Sequence, residues 1–260
     1  MHDAGSDVPT ARPRMHLLAS AVAWLAFVGL ATWGIAWCVA AWVPLSSAFA
    51  THTALAFGVL ALIVLTTVGS RHPFEHYGAA NVVTTGRAAL VTLVIGLAFE
   101  TVAAQTALMA CTVGLAVVTL DALDGTLARR TGRASEFGAR FDMEVDAALI
   151  LALCALAWLH GRAGSWVLLS GLYRYAFVAA GWAFPWLSRP LPPSRRRQAV
   201  CVLQILVLLI ALPMAVPAGL AAFVLAAALF GLTWSFAVDV HWLWLARRGA
   251  LPAQSRVDVA

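Results

Sequence analysis

Long apolar runs dominate this chain and leave it few ways to fold. Residues 17–41, 48–68, 81–99, 102–129, 138–159, 165–187, 198–216 and 218–245 form eight such runs, and a helix needs about 20 residues to cross the hydrocarbon of a bilayer. In lipid every backbone N–H and C=O must be satisfied internally, and these runs are too long and continuous for barrel strands. The expected architecture is an all-α integral membrane protein with about eight transmembrane helices. Composition agrees, because 62% of the residues are hydrophobic and only 11% are charged, unlike an ordinary soluble domain. The first run also outlasts the apolar region of a signal peptide, so a retained helix is expected there.

Carboxylates are concentrated where such a chain can least carry them. The stretch from Asp121 to Asp146 holds six of the twelve acidic residues: Asp121, Asp124, Glu136, Asp142, Glu144 and Asp146. A carboxylate at the end of a membrane helix is costly unless it is paired, hydrated or metal-bound. At about 100° per helical residue, Asp121, Asp124, Gly125 and Ala128 share roughly a third of the circumference, with Arg129 at its edge. Gly138, Asp142 and Asp146 follow at four-residue steps and share a face of the next helix. Two antiparallel helices joined by a short polar turn would bring the four aspartates together. Convergent carboxylates repel unless cations sit among them, and an all-oxygen site suits hard divalent ions such as Mg²⁺, Mn²⁺ or Ca²⁺. The residues with almost no side chain leave room for a ligand beside the metal.

The pattern Asp121-x-x-Asp124-Gly125-x-x-Ala128-Arg129, eight residues, then Gly138-x-x-x-Asp142-x-x-x-Asp146 resembles the signature of the CDP-alcohol phosphotransferases at every fixed position. Upstream, Asn81-x-x-Thr84-x-x-Arg87 resembles the segment that opens the family's first core helix, with Ala80 where many members have proline. The resemblance implies a six-helix catalytic core at 80–248. Ahead of it stand a disordered cytoplasmic tail at 1–15 and a two-helix transmembrane extension with an interfacial segment at 16–79; a second cytoplasmic tail follows at 249–260.

The chemistry implied by the resemblance is transfer of a substituted phosphoryl group from a CDP-linked donor to an alcohol, releasing CMP, in phospholipid synthesis. The expected donor is CDP-diacylglycerol and the group a phosphatidyl group. Asp121, Asp124, Asp142 and Asp146 would hold two divalent ions, Mg²⁺ or Mn²⁺, and Asp146 would act as the general base. Asn81, Thr84, Arg87, Gly125, Ala128, Arg129 and Gly138 would contact the CDP moiety. Arg174 lies inside a span, roughly 16 Å from its cytoplasmic end at 1.5 Å per residue. With Arg195 and Arg196 it is similar in placement to basic residues that bind a phosphorylated acceptor in some relatives; a structural ion pair and ordinary topology charge are the alternatives. The acceptor alcohol is left open. Family members often dimerise, and Gly and Ala on the apolar helices would permit a homodimer.

Charge sets the expected orientation. All seventeen basic residues are arginine, which excludes a catalytic lysine. Arg12, Arg14, Arg71, Arg129, Arg130, Arg133, Arg140, Arg189, Arg195, Arg196, Arg197, Arg247 and Arg248 fall on one side of eight spans, and the opposite loops hold only Arg162. The positive-inside rule then puts both termini and the aspartates at the cytoplasmic face. The Ala- and Arg-rich, lysine-free composition points to a GC-rich bacterial source, and the expected location is then a bacterial inner membrane. With no basic, aromatic-interleaved soluble module, nucleic acid is not an expected partner of the net +5 charge. Cys38, Cys111, Cys154 and Cys201 lie singly in apolar runs and read as packing residues. His72-x-x-Glu75-His76 has the letters of an inverted zinc-protease motif, but Pro73 opposes the helix it requires. Glu100 reads as interfacial, Glu136 as part of the turn, and Asp239 as hydrated or arginine-paired. The rival functions are an ion- or proton-coupled transporter and an inactive scaffold. Clustering of the carboxylates at one face opposes the first, and retention of all four aspartates opposes the second.

Overall fold

The computed structural model describes residues 11–71, 74, 76–131 and 135–248, with side chains at 15–69, 74, 76–121 and 135–248. Among them are eight α-helices and no strand: α1 (Ala11–Trp42), α2 (Phe49–Arg71), α3 (Ala79–Leu97), α4 (Ala104–Thr131), α5 (Glu136–Leu159), α6 (Leu168–Ala183), α7 (Arg195–Ala211) and α8 (Ala218–Arg247). Short 3₁₀ turns at Ser165–Val167 and Pro185–Ser188 flank α6. Each apolar run of the sequence is therefore a helix. Five of them, α1, α2, α3, α4 and α8, are long and apolar enough to cross a membrane, which makes this an integral membrane protein. At 16 and 17 residues α6 and α7 are shorter, reaching only about 25 Å at 1.5 Å per residue.

Two expected boundaries move. The tail placed at 1–15 ends sooner, because α1 begins at Ala11; Pro13 falls in the first turn, where no intrahelical N–H bond is lost. Glu136 opens α5 instead of lying in the turn, and pairs with Arg140 one helical turn later at 3.0 Å. The segments 1–10 and 249–260, and His72, Pro73 and Glu75 of the protease-like letters, lie outside the described residues.

The chain divides into two compact units, residues 1–100 with 116–145 and residues 101–115 with 146–260. In the first, α3 is the inner helix: 67% of its span is buried, against 17% for α1 and 28% for α2. A Cβ on Gly96 would stand 2.5 Å from Thr53 Oγ1 and 3.0 Å from the Phe49 ring, so α2 lies directly against α3. Gly29 makes the same accommodation for Phe57 between α1 and α2. Glu100 ties the turns together, its two carboxylate oxygens accepting from the Ser46 amide and hydroxyl at 2.7 Å each. The sequence reading made it only interfacial. Outward, α1 exposes Phe27, Leu30, Trp33 and Trp37, a surface a soluble monomer would not carry but lipid accepts.

In the second unit, α5 and α6 touch at backbone distance, with a Cβ on Gly171 falling 2.5 Å from Leu151 Cα. The Tyr173 hydroxyl shares a 2.8 Å hydrogen bond with Thr233 Oγ1, and its ring stacks on Phe236, joining α6 to α8. Arg162, the one arginine on the wrong side of the charge pattern, is buried. Its Nε donates at 3.0 Å to the O of Ala211, the last residue of α7, and its Nη2 to Val216 O in the turn before α8. Terminal carbonyls of a helix lack intrahelical donors and carry its partial negative charge, which explains a cation there.

Candidate functional site

The first wall of the site is built by the start of α3. Gly78 precedes it at φ +83°, a conformation that favours glycine. Just before it, Tyr77 is fully buried. Its amide donates to Ser20 Oγ of α1 at 3.0 Å, its hydroxyl shares a 2.8 Å hydrogen bond with Thr85 Oγ1, and its ring lies 6.3 Å from Phe137 of α5. Burial pushes the Tyr77 phenol up to about 12, with the Thr85 bond opposing the shift, so the hydroxyl stays protonated at neutral pH. One turn on, Asn81 Nδ2 donates to Tyr77 O at 2.5 Å.

The start of α5 closes against this anchor. Ser135 Oγ accepts from the Gly138 amide at 3.0 Å, satisfying one of the donors left open at a helix N-terminus. A Cβ on Gly138 would come within 2.9 Å of Asn81 Oδ1 and 3.2 Å of Ser135 Oγ. The space that glycine leaves is thus occupied by the anchored Asn81 side chain. Thr84 is buried beside it and turns its hydroxyl back onto Ala80 O at 3.1 Å.

Arg87 follows two turns into α3 and has no exposed surface. Its Nη1 lies 2.8 Å from Asp121 Oδ1 of α4 and donates to Asp142 Oδ1 of α5. Both carboxylates remain open on their other side, with 36% and 40% of their side-chain surface accessible. Asp146 continues the unbroken helix α5 one turn beyond Asp142, on the same face. Ligand oxygens from Asp121, Asp142 and Asp146 lie within 4.8 Å of one another. This all-carboxylate donor set fits a hard divalent cation. Asp124, Gly125, Ala128 and Arg129 belong to the last turns of α4; their side chains lie outside the described residues.

The remaining basic candidates belong to the second unit. Arg174 is half-buried on α6, and Arg195 is exposed at the start of α7. Arg196 is already engaged: Nη2 donates to Asp239 Oδ1, Nη1 to Ser235, and the guanidinium lies 5.7 Å from the centre of Trp234. Arg197 Nη1 adds a 3.4 Å bond to the same Asp239 oxygen. Of the two readings of Asp239, the arginine-paired one holds.

Tyr77, Thr85 and Ser135 were not singled out from the sequence, although they hold the site's walls in register. Only the position of Tyr77 immediately before a helix-opening glycine, and of Ser135 three residues before Gly138, would have marked them. A protein-family model for CDP-alcohol phosphatidyltransferases matches residues 77–238, from Tyr77 through the aspartates and into α8. No curated protein and no solved structure matches the chain. The matched segment covers more than half of the sequence and contains Arg87, Asp121, Asp142 and Asp146, so the chain belongs to the CDP-alcohol phosphatidyltransferase family.

Proposed function

We propose that this protein transfers a phosphatidyl group from CDP-diacylglycerol to an alcohol hydroxyl, with release of CMP, at the cytoplasmic face of a bacterial inner membrane. The observation that carries the reading is the convergence of Asp121, Asp142 and Asp146 on adjacent helices, with oxygens within 4.8 Å, inside the segment matched by the family. Family membership itself supports transferase activity in phospholipid biosynthesis.

Asp121, Asp124, Asp142 and Asp146 would hold Mg²⁺ or Mn²⁺, in the proposed count two ions. When bound, such ions neutralise a diphosphate and stabilise charge on its leaving phosphate. The chain's own residues supply the rest. Asp146 accepts the proton of the acceptor hydroxyl on a carboxylate oxygen, which raises the nucleophilicity of the attacking oxygen. Gly125 and Ala128 give the CDP moiety room along α4, with Arg129 as its polar contact, while Thr84 and Arg87, both buried, back the wall of that space. Asn81 and Gly138, packed on each other, shape the wall beside it. Arg174 and Arg195 are the proposed contacts for an acceptor or lipid phosphate; Arg196, held by Asp239, is the weaker member of that set. The proposed topology has eight crossings and both termini in the cytoplasm, with the core at 80–248 behind a two-helix extension.

The test is CMP release by the purified protein in lipid micelles with CDP-diacylglycerol and Mn²⁺, screening alcohols one at a time beside Asp146→Asn. Metal-dependent release with one acceptor, lost by at least a hundredfold in the variant, is the expected result. Donor binding without release for any alcohol would remove the proposed reaction.

A further inference from the structure

Among the described residues Arg87 is the largest fully buried side chain, and its placement is electrostatic. A single guanidinium nitrogen, Nη1, reaches the Oδ1 atoms of both Asp121 and Asp142, carboxylates borne on two different helices. These are two of the three groups whose oxygens can enclose a cation. A guanidinium cannot shed its proton at any pH a protein survives, so the positive charge between the two aspartates is permanent. Its stem rises from α3 with no exposed surface, which fixes the charge on the inner side of the pair while the outer side faces out. A divalent cation that draws on the same oxygens meets that charge at close range, where repulsion between cations is strong.

We propose that Arg87 is the resident counter-ion of Asp121 and Asp142 and competes with the divalent cation for them, so that it lowers metal affinity while holding α3, α4 and α5 together before the metal arrives. This rests on the metal-binding reading above and adds to it a role for Arg87 distinct from contact with the nucleotide. Arg87 is here a positioning residue that acts through the aspartates. Its removal has two opposed effects. Without metal, two carboxylates face each other with less compensation, and the fold loses stability. With metal, the competitor is gone, and binding tightens.

The experiment uses the full-length protein in lipid nanodiscs, with no CDP-linked substrate, and compares wild type with Arg87→Met and Arg87→Lys. Free Mn²⁺ is counted by its electron paramagnetic resonance signal, and Tm is measured in EDTA and in saturating Mn²⁺. Arg87→Met is expected to bind Mn²⁺ at least tenfold more tightly than wild type, to melt lower in EDTA, and to recover most of that loss in Mn²⁺. Arg87→Lys, whose shorter ammonium reaches fewer oxygens, is expected to bind about threefold more tightly. If Arg87→Met fails to fold even in Mn²⁺, the lysine variant decides the matter alone. Affinity equal to or weaker than wild type, in a variant that binds Mn²⁺ with the wild-type stoichiometry, overturns the competition and leaves the metal site standing. Absence of Mn²⁺ binding by wild type and variants alike overturns both.

Discussion

Gly138 shows how a single missing side chain shapes the site. Asn81 Oδ1 fills the place where a Cβ would be, and the Asn81 amide is anchored to Tyr77 O, so the asparagine cannot swing away without giving up a buried bond. Gly138→Val is therefore expected to cost about 1–3 kcal/mol through overpacking, read as a lower Tm, with CDP binding reduced in parallel. Gly138→Ala should show the same effect at smaller size, and an unchanged Tm in both would remove the contact as a constraint. The four-residue spacing of Gly138, Asp142 and Asp146 was legible in the sequence because it depends only on helix geometry. The partner of Gly138 was not. Asn81 lies 57 positions earlier in the chain, and its hydrogen-bonding role depends on a tertiary contact that no local pattern encodes.

Helices in this protein meet through glycine and end on arginine. At Gly171 the opposing atom is the Leu151 backbone at 2.5 Å, which cannot rotate aside as a side chain can. Gly171→Ala must push α5 and α6 apart and is expected to lower Tm more than Gly138→Ala does. Arg162 illustrates the other device. Its bonds to Ala211 O and Val216 O are charge-assisted, and removing them from a buried carbonyl end costs about 1.5–3 kcal/mol. Arg162→Met should show this as a lower Tm and Arg162→Lys should restore part of it; equal stability of all three proteins would dismiss the cap. The helices themselves were readable because each is one apolar run closed by polar or proline-containing turns. Arg162 looked like an exception to the orientation rule only because a sequence shows where a charge falls and not what neutralises it.

At the scale of the molecule, the first unit takes in α1 and α2 together with α3 and the carriers of Asp121 and Asp142. Removing residues 1–69 would strip the cover from Gly96 and delete Ser20 and Ser46, the partners of Tyr77 and Glu100. The shortened protein is expected to lose its folded state and its CDP binding together, monitored by size-exclusion chromatography and nucleotide binding. A monodisperse, CDP-binding product would show the extension to be dispensable. The proposed topology is checked by reporter fusions: one after Arg248 should report the cytoplasm and one inserted at residue 163 the opposite side. The sequence separated the N-terminal helices from the rest because the family resemblance begins near residue 80, whereas packing ignores that border. Gly96 accommodates Thr53 and Phe49 at distances that no added carbon would allow. A side chain at position 96 therefore requires the Thr53 hydroxyl and the Phe49 ring to shift. The face of α3 that meets α2 is thereby fixed in shape from both sides, so a change on one helix is felt on the other.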